Sequence, residues 1–421
     1  MPIKQYLQLF RIRNLIFLIL SGTVSQFGDR LTHMLLITLI GVSAPGKVSA
    51  FSVASLTFTL PVIIFSPLVG ILVDHWSKRS VMIVCHVVQA VILILTPFLI
   101  YFTHSFLPFW IVVTLFFSID IFNNTAKPAL LPRLVAYRKL LSANSLDQFL
   151  SRFATVAGMV IGGFLIAKIG WQWGFVFNAS THLCAGLLIF GIAKTADIKP
   201  AFKSTDDQTA LNLGSAFKVL IADAREVITL MKTNLIVTIV LSSFAVMTFI
   251  ASVSYTILIF LVQQILNWGT SGVGIMSGIL AVGMILGALF VGIIKFRFNK
   301  LFLIIAGFLI YGLLFTVGPF FISRLFIIIV AVVGGIIFSL IIVAQNTILQ
   351  EQVSAQIRGR IFGIKEFFGN ITFLITAIIT GVISDLTSYK IVLLAVGVLL
   401  IIFALFIFVI NRRPTQRLTT T

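Results

Sequence analysis

Charged side chains are scarce in this sequence. Only 10% of its 421 residues are Asp, Glu, Lys or Arg, whereas a soluble globular domain carries roughly 25%. The acids are the rarest of these, with 12 Asp and Glu against 30 Lys and Arg. Because 59% of the residues are hydrophobic, this composition cannot supply a water-facing surface. An ordinary soluble domain is therefore excluded.

Cysteine and recognisable catalytic motifs are also scarce. Cys85 and Cys184 both lie in apolar runs, which is typical of small buried hydrophobic residues and gives no disulfide framework. The sequence has no phosphate-binding Gly-rich loop, metal-ligand cluster or nucleophile motif. We therefore predict that the protein is not an enzyme or an ATP-driven pump, and that it binds no cofactor and no resident metal.

Long apolar runs are what the sequence has in abundance. Runs of about 18 to 25 residues, separated by short basic stretches, are typical of a polytopic helical membrane protein. We predict an all-α membrane protein with twelve transmembrane helices in two six-helix halves. The predicted spans are residues 14–40, 48–73, 80–102, 106–130, 141–168, 172–193, 233–263, 270–294, 301–322, 325–350, 360–386 and 389–411.

The basic residues predict the orientation in the membrane. Of the 30 Lys and Arg, 23 fall on one predicted side of the membrane. The other side has Lys47, Lys168, Arg324 and Lys390, and the remaining three, Arg30, Lys127 and Arg152, lie within predicted spans. By the positive-inside rule this puts both termini in the cytoplasm. The first apolar run is too long for a signal peptide. We expect a monomer in a bacterial inner membrane, with the lipid bilayer and a small-molecule substrate as partners and no nucleic acid.

One long polar segment divides the chain. We assign 1–193 to an N-terminal six-helix half, 194–232 to a cytoplasmic linker and 233–421 to a C-terminal six-helix half. Apolar residues recur at helical spacing in the linker, which predicts an amphipathic helix on the membrane surface; they are Phe217, Leu220, Ile221, Ala224, Ile228 and Met231. Two linked halves are typical of transporters that bind substrate at the interface of their repeats.

The loop after the second span carries a specific motif. Gly70, Leu72, Asp74, Lys78 and Arg79 fit G-x-L-x-D-x-x-x-K/R-K/R in "GILVDHWSKRS". Here the chain resembles the major facilitator superfamily, in which this loop implies a cytoplasmic latch that stabilises the outward-facing state. A plain basic loop is the alternative. The corresponding stretch of the second half, "GALFVGIIKFRFNK", has no acid, so we expect unequal gates.

Three further stretches narrow the resemblance. Gly158, Gly162 and Gly163 resemble the G-P-x-x-G-G pattern of exporters, with Met159 in place of proline; close helix packing by small residues is the alternative. The stretches "PALLPRLVAYRKLLSANSLDQFLSR" and "QEQVSAQIRGRIFG" resemble the branch that holds macrolide-efflux proteins and the enterobactin exporter. This resemblance implies proton-driven export of a small amphipathic molecule, a drug or a siderophore.

Charged residues inside predicted spans are the candidate coupling groups, because each costs roughly 2.5 to 3.5 kcal/mol at the bilayer centre. Asp29 and Asp120 are the candidate proton-responsive acids, and Arg152 is the preferred counter-charge, with Arg30 as a second cation. Proton coupling needs an acid that neighbouring cations switch. The alternative is a structural ion pair that joins spans one, four and five.

The remaining candidates line a cavity or a gate. The cavity set adds polar side chains on four spans: His33, Asn123, Asn124, Gln263, Gln345 and Asn346. The gate set adds Asp147, Arg358, Arg360 and Glu366 at the cytoplasmic ends. Interhelical hydrogen bonding explains the amides equally well, and a packed histidine is the alternative for His33.

Two other transport functions remain open. "GDRLTHM" also resembles the first span of ferroportins, in which Asp29 and His33 would be ligands of a transported divalent metal. Spans seven and eleven supply no Cys or His partner, which weakens that interpretation. A lysophospholipid flippase would need a wide apolar opening, which sequence alone does not exclude. A non-transporting membrane sensor would have no need of the buried acids.

Overall fold

The computed structural model describes residues 8–105, 107–136, 139–194, 213–294 and 299–412. Within these ranges every long element is a helix and there is no strand. The first part of the chain forms six long helices: α1 (Arg13–Ser43), α2 (Val48–His75), α3 (Lys78–Thr103), α4 (Leu107–Leu134), α5 (140–169) and α6 (171–190). Helices α5 and α6 are one run, Leu140–Phe190, broken at Gly170.

The second part begins with a helix in the linker. Its elements are α7 (Leu213–Thr233), α8 (Leu235–Phe260), α9 (Gly269–Ile294), α10 (Lys300–Val317), α11 (Arg324–Gln352), α12 (Ala355–Leu386) and α13 (Tyr389–Arg412). A π-helical turn, Leu261–Ile265, extends α8. Six helices, α8 to α13, therefore match the six spans predicted for this part, and α7 matches the predicted amphipathic helix.

Ten helical segments of the described chain are long and apolar enough to cross a membrane. One of them, Ser142–Phe190, contains the break at Gly170 and so holds both α5 and α6. Helix α1 is 31 residues long but is not among the ten; Asp29, Arg30 and His33 lie in its middle. The chain is thus an all-α membrane protein with twelve transmembrane helices in two six-helix halves.

Helix boundaries follow local chemistry. Ser77, Asn234, Asn299 and Ser323 each precede a helix and accept a hydrogen bond from a backbone N–H of its first turn, which satisfies donors that the helix leaves without partners. Gly170 has φ 83° and ψ 162°, a conformation almost confined to glycine. The break between α5 and α6 therefore falls where the sequence predicts it, between residues 168 and 172.

The chain forms two compact units. The first holds α1, α2 from Val53, α3 to α6 and residues Asn267–Ile275, and the second holds Lys47–Ser52, residues 222–266 and the chain from Met276. In the first unit α1 packs along α5 and α6, and α3 packs on α4 and α6. In the second, α8 packs on α12 and α11, and α10 packs on α13 and α11.

Glycines allow the close approach of α1 and α5. A Cβ at Gly158 would lie 2.8 Å from Arg30 Cβ, and one at Gly162 would lie 2.7 Å from Leu31 Cδ2. A Cβ at Gly163 would lie 3.0 Å from the Thr270 carbonyl oxygen in the same unit. The three glycines singled out in the sequence thus each lie against a neighbouring helix, as small residues do in membrane helix packing.

Candidate functional site

Among the acids of the first unit whose surroundings the structure describes, Asp29 is the most deeply buried. It lies in the middle of α1 with 4% of its surface exposed. His182 of α6 places Nε2 at 3.9 Å from Asp29 Oδ1, which is too long for a hydrogen bond. Among the described residues, Asp29 Oδ1 has no hydrogen-bond partner. An ionised carboxylate is costly here unless cations compensate it, so its protonation depends on its neighbours.

A second histidine lies behind His182. The rings of His182 and His86, on α6 and α3, have centroids 5.8 Å apart, and both residues are fully buried. His182 also meets the Phe116 ring edge-on at 5.1 Å, and neither of its ring nitrogens has a hydrogen-bond partner in the described chain. Asp29 therefore faces a polar but sparsely bonded region between α1, α3 and α6.

The second candidate acid, Asp120, belongs to the same electrostatic group. It lies on α4, and Asn124 donates from Nδ2 to its Oδ2 at 2.7 Å. The charges of Asp120, Arg30 and Lys127 act electrostatically on the Asp29 carboxylate. The charge of Arg30 also acts on the Asp120 carboxylate. The charge of Arg30 thus acts on both predicted acids.

That shared cation is Arg30. Gln26, one turn before it, can accept from Arg30 Nη2 at 3.0 Å and Nε at 3.3 Å when its amide oxygen faces the guanidinium. Arg152, the preferred counter-charge in the sequence, is exposed on α5 and is not among the charges that act on either acid. In this conformation Arg30, and not Arg152, is the arginine whose charge acts on both acids.

An ion pair joins α4 and α5. Lys127 Nζ lies 2.7 Å from Asp147 Oδ1, with each side chain 13% exposed, and also donates to Ser151 Oγ at 3.3 Å. The lysine side chain runs so close to Gly22 of α1 that a Cβ there would collide with its Nζ and Cε atoms. Three helices of the first unit therefore meet at this pair.

Arg79 closes the end of α6. Its Nε donates to the Ile192 carbonyl at 2.8 Å and its Nη2 to the Phe190 carbonyl at 2.7 Å, and the guanidinium lies 5.3 Å from the centroid of the Phe190 ring. Carbonyls at a helix C-terminus attract cations. Lys78 is buried and donates to the Trp76 carbonyl at 3.1 Å. Gly70 and Asp74 of the same motif lie in α2, at positions whose surroundings fall outside the described residues.

The second unit contains a buried lysine. Lys365 on α12 is 6% exposed; its Nζ donates to Asn346 Oδ1 of α11 at 3.0 Å. The ammonium lies 4.2 Å from the Phe244 ring centroid and 4.9 Å from that of Phe362. Glu366, the predicted gate residue beside it, points outward with 67% of its side chain exposed and Oε1 3.8 Å from Lys365 Nζ.

Other predicted residues have separate places. Gln345 is buried and donates from Nε2 to Ser243 Oγ at 3.0 Å, which joins α11 to α8. Gln263 lies in the π-helical turn that extends α8, and Asn123 is buried on α4. Arg360 pairs with Glu226 of α7 at 3.0 Å. The side chain of Arg358 lies outside the described residues.

The possible metal ligands do not converge. His33 packs against the rings of Phe58 and Phe117, at centroid distances of 5.2 Å and 4.8 Å, so its surroundings are aromatic. Across the described chain no three His, Cys, Asp or Glu side chains are placed to hold a metal ion. Among the described residues, Asp29 and His33 therefore have no third side chain that could complete a metal site with them.

Two features were missed by sequence reasoning. The approach of His182 to Asp29 joins residues on α6 and α1, and the only sequence signal was a histidine inside an apolar run. The second feature is the burial of Lys365, which the positive-inside pattern groups with the basic residues of the predicted cytoplasmic side. Whether the Lys365 side chain points into the protein depends on the rotation of α12 about its axis. Aromatic residues precede and follow Lys365 in the sequence, so the hydropathy pattern does not determine that rotation.

Comparison with known proteins identifies the family. The model of the Major Facilitator Superfamily matches residues 13–257 and 239–421, so the chain belongs to this superfamily. The Bacillus subtilis (strain 168) MFS-type transporter YfiS is 21% identical over 93% of this chain and 92% of its own length. YfmI of the same organism, another MFS-type transporter, is 22% identical over 92% and 94%.

Solved structures share the fold. A POT family transporter crystallised with 5-aminolevulinic acid has a TM-score of 0.70 at 13% identity, over 94% of this chain and 96% of that one. The nucleoside transporter NupG has a TM-score of 0.66 at 15% identity, over 94% and 99%. The family match and the Bacillus subtilis relatives thus make the chain a secondary transporter of the superfamily and a multi-pass membrane protein in contact with lipid.

Proposed function

We propose that this protein is a proton-coupled secondary transporter that exports a small amphipathic organic molecule, a drug or a siderophore, by alternating access. The observation that carries the proposal is the charge group of the first unit. Asp29 is buried with one carboxylate oxygen unpartnered in the described chain, and it shares the field of Asp120, Arg30 and Lys127.

In this proposal Asp29 is the residue that holds the proton. When the carboxylic acid releases its proton to water, the resulting carboxylate is attracted to Arg30 and Lys127 and repelled by ionised Asp120. These interactions are strong where water is excluded. Movement of α1 relative to α4 would therefore follow the protonation state, which is the requirement for coupling a proton to a conformational change.

The gate residues support the same mechanism. The Lys127–Asp147 pair and the Arg79 contacts at the end of α6 tie helices of the first unit together. Such contacts stabilise one arrangement and must rearrange in another. The Lys365 contacts with Asn346 and Phe244 give the second unit its own buried cation.

Export is proposed on the resemblance to the macrolide-efflux and enterobactin-exporter branch. The basic loops support a bacterial inner membrane location with both termini in the cytoplasm. The proton gradient is the proposed driving force, and the transporter acts as a monomer without a cofactor. The aromatic surroundings of His33 give no support to metal as the substrate.

A thermal-stabilisation screen of the detergent-purified protein tests this proposal. The ligands are a macrolide, a catecholate siderophore, a carboxylate siderophore, a lysophospholipid, and Co²⁺ or Fe²⁺. We expect one organic amphiphile to raise the melting temperature, and Asp29→Asn to weaken that effect while the variant still folds. Arg152→Gln, which removes an exposed charge that is not among those acting on the two acids, is the matched control and should retain the ligand response.

Two results would contradict the proposal. Stabilisation by metal alone, lost in Asp29→Asn or His33→Ala, would favour a ferroportin-like metal exporter. Stabilisation by lysophospholipid alone, unchanged by Asp29→Asn, would favour a flippase without a role for the acid.

A further inference from the structure

The linker helix α7 presents two different faces. With 3.6 residues per turn, Arg225, Ile228 and Lys232 fall within an arc of about 60° on the helix surface. All three are exposed, with Ile228 at 51%. Asp223 and Glu226 lie at least about 100° away from them round the helix. The cations and the acids of α7 are therefore segregated.

The acidic face is held by the protein. Arg360 of α12 lies 3.0 Å from Glu226 Oε2 through Nη1 and 3.8 Å from Asp223 Oδ1 through Nε. Val227, on the same side of α7, is 6% exposed. These contacts lie within the second unit and set the rotation of α7 about its axis. The arc of Arg225, Ile228 and Lys232, named here the outer face, consequently points away from α12.

The position of the outer face follows from the next helix. Only Asn234 separates α7 from α8; its backbone is extended, and its side chain accepts from Ile236 N and Val237 N. Helix α8 starts a candidate membrane span at Leu235, and Leu235 and Ile236 are 44% and 43% exposed. The outer face thus directly precedes the start of a candidate span, and the first two residues of that span are also exposed apolar side chains.

We propose that the outer face of α7 is a binding surface for anionic phospholipid headgroups of the bilayer. Ile228 enters the boundary between headgroups and acyl chains. Arg225, about one turn before it along the helix, and Lys232, about one turn after it, contact lipid phosphates. An apolar residue flanked by cations is the pattern of interfacial helices. The acids would repel anionic lipid, and they lie on the opposite side with Arg360. The charges of α7 are thus complementary to an anionic membrane surface.

A lipid-specific stability measurement tests the charges. The full-length protein is melted in detergent with phosphatidylglycerol or with phosphatidylcholine at equal total lipid. We expect phosphatidylglycerol to give the larger rise in melting temperature, and expect salt to reduce the difference. Arg225→Gln with Lys232→Gln should reduce the difference, because both cations of the outer face would lose their contacts with the lipid phosphates. Lys168→Gln with Lys390→Gln, a matched loss of two exposed cations elsewhere, should retain it.

A depth measurement tests the apolar contact. Cys184 is exposed, so it is first replaced by serine to prevent its labelling. In this Cys184→Ser protein, Ile228→Cys is labelled with bimane, and the protein is placed in vesicles that contain brominated lipids. We expect stronger quenching at position 228 than at Ala222→Cys, which lies about 120° round the helix. Quenching that is equal at the two positions would overturn the proposal. So would equal stabilisation by the two lipids, or the full effect from inorganic phosphate alone.

Discussion

Lys127 reaches Asp147 because position 22 of α1 carries no side chain. The lysine crosses the space that a Cβ of Gly22 would occupy, and its Nζ lies 2.7 Å from Asp147 Oδ1. Each side chain is 13% exposed, so solvent screens the pair weakly. At the scale of single residues, a small residue and two charges form one arrangement in which each part depends on the others.

A double-mutant cycle measures that dependence. Lys127→Met and Asp147→Leu should each destabilise the protein by about 1 to 3 kcal/mol, because each leaves a poorly solvated charge without its partner. The double variant should cost less than the sum of the two by about 1 to 3 kcal/mol. Melting temperatures and denaturant midpoints of the four proteins provide the measurement. Strictly additive costs would mean that the pair contributes nothing beyond its separate side chains.

At the scale of elements, two helix ends depend on specific residues. Gly170 makes the turn between α5 and α6 with positive φ, and Arg79 binds the carbonyls of Phe190 and Ile192 at the end of α6. Position 170 requires a backbone conformation that glycine adopts easily. Position 79 requires a side chain that can donate to two carbonyls at once. Both hold α6 in its place beside α1 and α3, where His182 approaches Asp29.

Replacement of Gly170 by alanine should destabilise the protein by about 1 to 3 kcal/mol, because a Cβ disfavours this backbone conformation. The matched control is Gly363→Ala in α12, where a Cβ would meet no atom within 4 Å and the backbone is helical. We expect that control to be neutral or stabilising by up to about 1 kcal/mol. Thermal melts of both variants in the same detergent decide the matter, and equal costs at the two positions would refute the backbone argument.

Arg79→Lys tests the geometry of the α6 cap while it keeps the charge. A guanidinium can donate to two carbonyls in fixed directions, whereas an ammonium is a point charge. We expect Arg79→Lys to cost about 1 to 2 kcal/mol and Arg79→Met to cost more, since hydrogen bonds to charged groups contribute about 1.5 to 3 kcal/mol. Stability in detergent is the readout. A lysine variant as stable as the parent would show that charge alone is enough.

Helix bounds were predictable because the bilayer sets the length of each apolar run. The break at Gly170 was predictable for a related reason, since a glycine between two such runs marks a turn. Sequence alone could not tell which of Arg30 and Arg152 acts electrostatically on the two acids. Hydropathy gives the depth of a residue along a span, but the direction in which its side chain points depends on helix rotation and on tertiary neighbours.

At the scale of the whole molecule, the superfamily assignment and the twelve-helix fold agree with the sequence, whereas the substrate needs experiment. The central claim is that Asp29 couples transport to protons. Its burial, the approach of His182 and the surrounding charges of Asp120, Arg30 and Lys127 all lie in the first unit. The role proposed for Asp29 therefore depends on one carboxylate, and a single substitution tests it.

The most direct test follows protons during transport. Proteoliposomes that hold a pH-sensitive dye are given the ligand found by thermal stabilisation, and proton movement is recorded together with ligand flux. We expect the parent protein to exchange protons for ligand, and we expect Asp29→Asn to bind the ligand more weakly and to move protons at least about tenfold more slowly. Ligand-driven proton movement that persists unchanged in Asp29→Asn would show that Asp29 does not couple transport to protons.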